Sequence, residues 1–500
     1  MNGYIKSYFI PSILLNFNMK YLLLIALSFS VLTPYAQKIP KPEKFAKTIT
    51  AADLKKHLYI IASAEMEGRE TGMPGERKAA AYIENQFLKI GLQPANKGNF
   101  HMYYNIYQDS LLHAEVVING EKFQLDEDFN VNISSNADAT FRFNEVVYIG
   151  NKSIDSARKM NLTGKLIMMP RTTGMALYRT LINKGIAGIL FIANDYPKKT
   201  PASRKGSQTI NIFKSSIAPQ QYNISTAMAE KIMNRPYIDH DKEDSMIGKF
   251  PAQIQLETRK ASIPLQTSNV LGMIEGSDLK HEYLIITAHH DHIGKRDSII
   301  NYGADDDGSG TVSVIELAEA FAKAKAEGKG PRRTVIFMTV SGEEKGLWGS
   351  GVYGDHPVFP LENTTANLNI DMIGRIDPKR TYGDSTNYVY VVGDDKLSSD
   401  LRPISEAVNK KYTKLELDYK FNDPKDPMRI YYRSDHYNFA KHGVPIIFYF
   451  NGTHADYHRP TDTPDKINYN LLAKRAQFVF YTAWEMANRD EMLKRDLSMD

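Results

Sequence analysis

The chain has no cysteine among its 500 residues, so neither a disulfide framework nor a thiolate metal site is open to it. Any metal ligation must come from histidine, aspartate and glutamate. A strong charge of one sign is missing too. Lysine and arginine number 62 against 58 acids, a formal net charge of +4, and no basic run interleaved with aromatics occurs, which leaves a nucleic-acid partner without support. Beyond the N-terminal region no apolar run is long enough to cross a membrane. What remains is 42% hydrophobic and 24% charged, with a mean hydropathy of −0.40. That is the composition of a globular chain able to bury a sizeable core, at a length typical of about two to three domains.

The N-terminus carries an address. Met19-Lys20 precedes an apolar run from Leu22 to Leu32, followed by Pro34-Tyr35-Ala36-Gln37. Basic, apolar and small residues in that order predict a signal peptide over residues 1–36, with translation starting at Met19, and hence an exported, periplasmic or extracellular protein. An uncleaved anchor is the competing reading. Residues 38–48 are rich in proline and lysine and read as a linker.

Apolar residues then recur at helical spacing through Leu54, Leu58 and Ile61, and again from Ala79 to Leu92, with Gly91 as a cap. Between 112 and 262 the texture changes to short strands (Ala114–Ile118, Glu145–Ile149, Lys165–Met169), a helix near Ala176–Lys184 and an apolar run, Ala187–Ala193. This predicts an inserted, smaller α/β domain, with 37–111 before it and 263–500 after it as the two parts of the main domain. After Pro264, strands (Tyr283–Ala288, Thr334–Val340, Leu368–Asp371, Tyr388–Val392, Val444–Phe450) alternate with helices. That alternation predicts an α/β fold with a mainly parallel mixed sheet sandwiched by helices. Functional residues in such sheets gather beyond the carboxyl ends of the strands.

Five short motifs stand out, and those of His289, Glu344 and Asp371 lie at such strand ends. His289-His290-Asp291-His292 follows a strand, and Asp291, two residues past His289, faces the same way and can orient its ring. Gly303-Ala-Asp-Asp-Asp-Gly-Ser-Gly310 has three adjacent aspartates, which exclude a phosphate loop; the run also reads as an acidic helix start, with Asp306 pointing into a site. Glu343-Glu344 follows another strand. Asp371 ends a third, where a buried acid is costly unless paired or bound to a cation. His458 lies in a late loop. Each motif alone has an ordinary surface or capping explanation. Together, imidazoles and carboxylates are what zinc accepts, with three protein ligands and an open position per catalytic ion. Five residues supply the six contacts that two zinc ions need if one carboxylate bridges, and one glutamate is left over as a base.

In this order the motifs resemble those of the co-catalytic zinc exopeptidases, the family of bacterial leucyl aminopeptidases, aminopeptidase Y and glutamate carboxypeptidase. The likeness covers most of 263–490 and the segment Glu67-Gly-Arg-Glu-Thr-Gly-Met-Pro-Gly75. It implies two Zn2+ per chain, with Asp306 bridging, His289 and Asp371 completing one site, and Glu344 and His458 the other. It further implies Glu343 as general base, Asp291 as the residue steadying His289, and a cis peptide between Asp306 and Asp307. Residues 112–262 resemble a protease-associated domain through Gly164-Lys-Leu-Ile-Met and Gly185-Ile-Ala-Gly-Ile-Leu-Phe. The implied activity is release of N-terminal residues from peptide substrates. The alternatives are a carboxypeptidase or dipeptidase on the same scaffold, a glutaminyl cyclase, and an inactive binding protein. Arg375 and Arg433 are the arginines on offer for a substrate carboxylate.

Overall fold

The computed structural model describes residues 41–499 except 151–153, 172–174, 199–200, 214–217 and 239–245, together with Gly3. The expected signal peptide therefore lies outside the described residues. Among those described, no helix is long and apolar enough to cross a membrane.

The expected linker is in part structural. Pro42 opens a single helical turn, Glu43–Ala46, and buries Phe45 against Trp484, ring centroids 5.7 Å apart. The proline and lysine content conceals one aromatic anchor. Helix α1 (Ala51–Ile61) starts where the Thr50 side chain accepts from the Asp53 N–H, and its apolar stripe Leu54, Leu58 and Ile61 is fully buried. Helix α2 (Pro74–Ile90) starts earlier than the apolar spacing suggests, because proline suits the first helical turn. It ends where Gly91 takes a left-handed conformation, φ 86°.

Seven strands position the site: β1 (His101–Ile118), β2 (Gly248–Ile274), β3 (Leu279–His289), β4 (Arg333–Val340), β5 (Thr364–Ile370), β6 (Tyr388–Val392) and β7 (Ile446–Phe450). In space they run β6, β7, β5, β3, β4, β2. The pairs β7–β5, β5–β3 and β3–β4 are parallel; β6–β7 and β4–β2 are antiparallel. Period-two alternation splits the side chains between two cores. Leu284, Ile286, Val335, Phe337, Ile447 and Tyr449 join helices α3 (Gly310–Ala326) and α4 (Tyr469–Asn488) on one face. Ile285, Ile336, Met338, Ile446 and Phe448 pack with Tyr353 and Phe439 on the other. Both faces are covered, which is why these strands read as continuous apolar runs rather than alternating ones.

The 27-residue strand β2 was not legible as one element, because polar and β-branched residues interrupt its pattern. Its end, Val270–Ile274, pairs with β4, and its body pairs with β1 and with strand Ala139–Tyr148. Residue 262 lies inside it. From Ala139–Tyr148 the parallel strands Leu166–Pro170, Gly188–Ala193 and Gln220–Ser225 follow, with separate clusters on their two faces around Met168 and Leu190, and around Ile167 and Ile189.

Candidate active site

The carboxyl ends of β3, β4 and β5 lie side by side, so the residues just past them meet although they are scattered in sequence. His289 ends β3, Glu343 and Glu344 follow β4, and Asp371 follows β5. His289 Nε2 lies 3.3 Å from Asp306 Oδ1, 3.7 Å from Asp371 Oδ1 and 3.8 Å from Glu343 Oε2. On the other side of Asp306, His458 Nε2 is 3.0 Å from Asp306 Oδ2 and 3.0 Å from Glu344 Oε2. Asp306 thus faces two groups of imidazole and carboxylate side chains at once.

The three adjacent aspartates divide their work by orientation. Asp307 accepts from the backbone N–H groups of His289, Gly310 and Met372, stitching three motifs together. Asp305 accepts from Gly374 N–H and pairs with His454. Asp306 alone of the three presents its carboxylate to His289 and His458, across a cis peptide bond to Asp307. Gly303 makes this turn possible. It sits at φ 57°, and a Cβ there would fall 2.3 Å from the Asp306 carbonyl oxygen and 2.5 Å from the His292 ring.

Asp291 meets the ring of His289 mainly through its backbone. Its Nδ1–H donates to the main-chain carbonyl of Asp291 at 3.0 Å, whereas the Asp291 carboxylate is 3.7 Å away. That carboxylate instead accepts from the Thr71 hydroxyl and from the Glu343 backbone N–H, so Asp291 links the β3 end to the loop carrying Glu343. Ser434 donates to Asp371 Oδ2 at 2.7 Å and fixes that carboxylate's second oxygen.

Several participants were not singled out in the sequence. Arg69 is fully buried and donates to the carbonyls of Ile61, His290, Tyr302 and Gly303, clamping two of the motif loops. His290 turns away to Glu76 at 2.9 Å. His292 turns inward, its Nδ1 2.8 Å from Glu344 Oε1 and 3.9 Å from Asp306 Oδ2. The triple-histidine motif was the only available signal for it. Of the two arginines, Arg375 is engaged by Asp456 at 3.0 Å, while Arg433 lines the pocket beside Asp306, Glu343 and Asp371.

Five buried atoms of this cluster have no hydrogen-bond partner of good geometry among the described residues: His289 Nε2, both ring nitrogens of His292, Asp306 Oδ2 and Glu344 Oε1. Orphaned donors and acceptors at close range are costly unless a further group satisfies them. His289, Asp306 and Asp371 form one cation-sized group; His292, Asp306 and Glu344 form another. The donor set, imidazole and carboxylate without sulfur, suits zinc. Without a cation, the charges lean on one another. Burial opposes a proton on His289, yet Glu343 and its contacts with Asp291, Asp306 and Asp371 hold its pKa well above the usual range. Burial likewise opposes charge on His458, but Asp306 and Glu344 raise its pKa to about 10. Burial pushes the Glu343 carboxyl well above the carboxylate range.

Residues 269–483 match the description "Peptidase family M28". This segment belongs to the M28 peptidases. Among curated relatives, Aminopeptidase YwaD of Bacillus subtilis (strain 168) is 28% identical over 238 residues, 42% of this chain and 49% of that protein. A probable leucine aminopeptidase of Trichophyton verrucosum is 27% identical over 293 residues, 52% of this chain and 76% of the relative. A probable zinc metalloprotease of Pyricularia oryzae is 26% identical over 292 residues, half of this chain and 55% of the relative. The other probable zinc metalloproteases matched are spanned over only 27% to 31% of their length. Two solved structures share the fold along nearly the whole chain. The aminopeptidase from Aneurinibacillus sp. strain AM-1 superposes with a TM-score of 0.57 at 19% identity, covering 92% of this chain and 99% of that one. The zinc aminopeptidase BSAP of Bacillus subtilis gives 0.55 at 17% identity, covering 90% and 99%. The M28 segment begins inside β2 and ends inside α4, and so contains every ligand candidate.

Proposed function

We propose that the protein is a zinc-dependent exopeptidase that removes N-terminal residues from peptides. The observation that carries this reading is the pair of ligand groups sharing Asp306, with five orphaned buried atoms, inside an M28 segment. Asp306 would be held in common by two zinc ions, with His289 and Asp371 on one side and Glu344 and His458 on the other. Zinc bound there lowers the pKa of water and polarises a carbonyl.

The chain's own residues do the rest. Glu343 sits 3.8 Å from His289 Nε2, at the edge of the ligand cluster and lining the pocket. Its carboxylate takes a proton from the attacking water and delivers it to the departing amine nitrogen. Burial raises the proton affinity of this carboxyl, the direction a base needs in order to hold the proton between the two transfers. Asp291 keeps Glu343 in reach by accepting its backbone N–H, and Ser434 keeps Asp371 facing His289. Apolar Met372, Ile430, Phe448 and Phe450 shape the pocket wall and exclude competing water.

The same reading places the protein outside the cytoplasm, exported through residues 1–36, and treats 112–262 as a protease-associated-like insert. A panel of peptides with free and acetylated N-termini tests the activity. Free N-termini should be cleaved and acetylated ones spared. Cleavage of the acetylated peptides from the carboxyl end would replace this reading with a carboxypeptidase.

A further inference from the structure

The loop that carries Glu343 is held from a distance. Gly342 turns into it with a left-handed backbone, φ 77°, where a Cβ would press on the Tyr104 hydroxyl at 3.0 Å and on Trp348 Cβ at 3.0 Å. Past that turn the Glu343 N–H donates to Asp291 Oδ1 at 3.2 Å, and Asp291 Oδ2 accepts from the Thr71 hydroxyl at 2.7 Å. Thr71 and Asp291 are both fully buried. The residue before Thr71 grips the same loop directly, through the 2.9 Å pair of Glu70 with Lys345. The segment Glu70–Thr71 thus meets the loop at two points.

That segment is itself fixed from two directions. On one side the His292 N–H donates to the Arg69 carbonyl at 3.0 Å, tying it to the end of β3. On the other, Gln208 Nε2 donates to the Thr71 carbonyl at 2.8 Å. A carbonyl only accepts, so the amide nitrogen must face it. Oε1 of Gln208 is buried and has no hydrogen-bond partner among the described residues, so the bond to Thr71 decides how this half-buried amide is oriented. Gln208 lies outside the 269–483 match, on strand Lys205–Thr209 of the 112–262 region, where it pairs with Gln108 of β1. The strand is firmly seated. Ser207 N–H donates to Ser134 Oγ at 2.6 Å, and a Cβ on Gly206 would fall 3.0 Å from Ile133 and 3.1 Å from Asp109. Asp109 is anchored in turn by Lys260 at 2.7 Å and Ser262 at 2.9 Å.

We infer that Gln208 is a positioning residue for Glu343, acting through Thr71 and Asp291, so that the 112–262 region holds the base in place. The inference rests on the exopeptidase reading, with Glu343 as base, and deepens it by giving that region a part in the reaction. A base transfers its proton efficiently only from a narrow range of positions, and each link of this chain is a single hydrogen bond. The Glu70–Lys345 pair holds the same loop independently, so loss of Gln208 should loosen Glu343 without releasing it.

The test measures steady-state hydrolysis of Leu-4-nitroanilide by the zinc-loaded full chain. Gln208→Leu and Gln208→Glu remove the N–H donor at similar size and should lower kcat by about three- to tenfold, the scale of one neutral hydrogen bond. KM should stay within about twofold and zinc content should match the wild type, because neither a metal ligand nor the pocket wall is touched. Gln208→Lys, which returns an N–H donor, should recover most of kcat. Thr71→Val cuts the same chain one link later. In that background Gln208→Leu should cost less than about twofold more, since residues acting in series are not additive. An unchanged kcat in Gln208→Leu and Gln208→Glu, a Gln208→Lys as slow as Gln208→Leu, or fully additive losses with Thr71→Val would each overturn the inference, while wild-type activity leaves the exopeptidase reading intact. Loss of zinc or a raised KM in place of the kcat loss would overturn it too, by assigning Gln208 to the metal site or the pocket. Failure of the wild type on every free-N-terminal substrate would overturn that reading, and this inference with it.

Discussion

Glu343 and Glu344 are neighbours in the chain with opposite surroundings. Glu344 approaches His458 at 3.0 Å and His292 at 2.8 Å, the position of a ligand, while Glu343 stands beside His289 at the pocket. Glu343→Gln should lower kcat by about 10²–10⁴-fold, as for loss of a general acid–base, with zinc content unchanged. Glu344→Gln should lose zinc together with activity; metal analysis and steady-state kinetics on the two proteins separate the roles. A second residue-scale effect concerns His436, which is fully buried, donates from Nε2 to the Tyr431 carbonyl at 2.7 Å and stacks on Phe448. Burial lowers its pKa to about 3 from 6.5. Over that window the unfolded chain binds a proton that the folded protein does not, so this group's contribution to stability is lost as pH falls below 6.5. From about pH 6.5 to about pH 5 the loss is about 2 kcal/mol. Asp435 next to it acts in the opposite sense, since burial raises its pKa to about 7 and the folded state holds the extra proton between 3.8 and 7. Comparing urea unfolding of His436→Gln with the wild type across this range isolates the histidine: the variant should lose less stability on acidification.

At the scale of elements, the site is the place where three strand ends are tied together by backbone rather than by side-chain packing. Asp307 takes N–H groups from the β3 end, the start of α3 and the residue after Asp371. Arg69 does the converse for carbonyls, joining the end of α1 to the loops at His290 and Gly303. Arg69→Met should leave buried carbonyls unsatisfied and cost at least about 3 kcal/mol in urea unfolding. The folded fraction should also bind zinc less tightly, because His289 and Asp306 are carried by the loops that Arg69 clamps. The strands around the site were legible because residues buried on both faces leave uninterrupted apolar runs such as Val335–Met338. The length of β2 was not, because its body serves as a polar, half-exposed partner of β1.

For the whole molecule, the described residues from Pro42 onward form one compact unit, in which β2 carries hydrogen bonds from the strands flanking the site to those of the 112–262 region. The cluster at the strand ends brings Asp306, Glu343, Glu344 and Asp371 within a few ångströms, which like charges resist. A cation relieves that repulsion and binds only the folded state. Zinc at a thousandfold excess over its dissociation constant would therefore add about 4 kcal/mol of stability per site. Removing it with a chelator should lower the melting temperature by several degrees, and adding zinc back should restore it. Metal analysis should return two zinc ions per chain in the wild type, none in Asp306→Ala and an intermediate value in His458→Ala. One zinc ion with full activity would overturn the shared-ligand arrangement.

The sequence by itself determined the chemistry on offer and much of its placement. Without cysteine, only imidazole and carboxylate could bind a metal, and the motifs of His289, Glu344 and Asp371 each followed directly on an apolar strand, so the carboxyl ends of a parallel sheet were the place to look. The local conformation around Gly91 was equally legible, because capping depends on one residue and its immediate neighbours. Only the tertiary structure decided the rest. Which of three adjacent aspartates faces the site depends on what Gly374, His289 and Met372 offer from other strands. Which of three histidines turns away from the site depends on Glu76, and which arginine is taken up by an acid depends on Asp456. Those choices are made by partners remote in sequence, through hydrogen bonds and charges that no local pattern encodes.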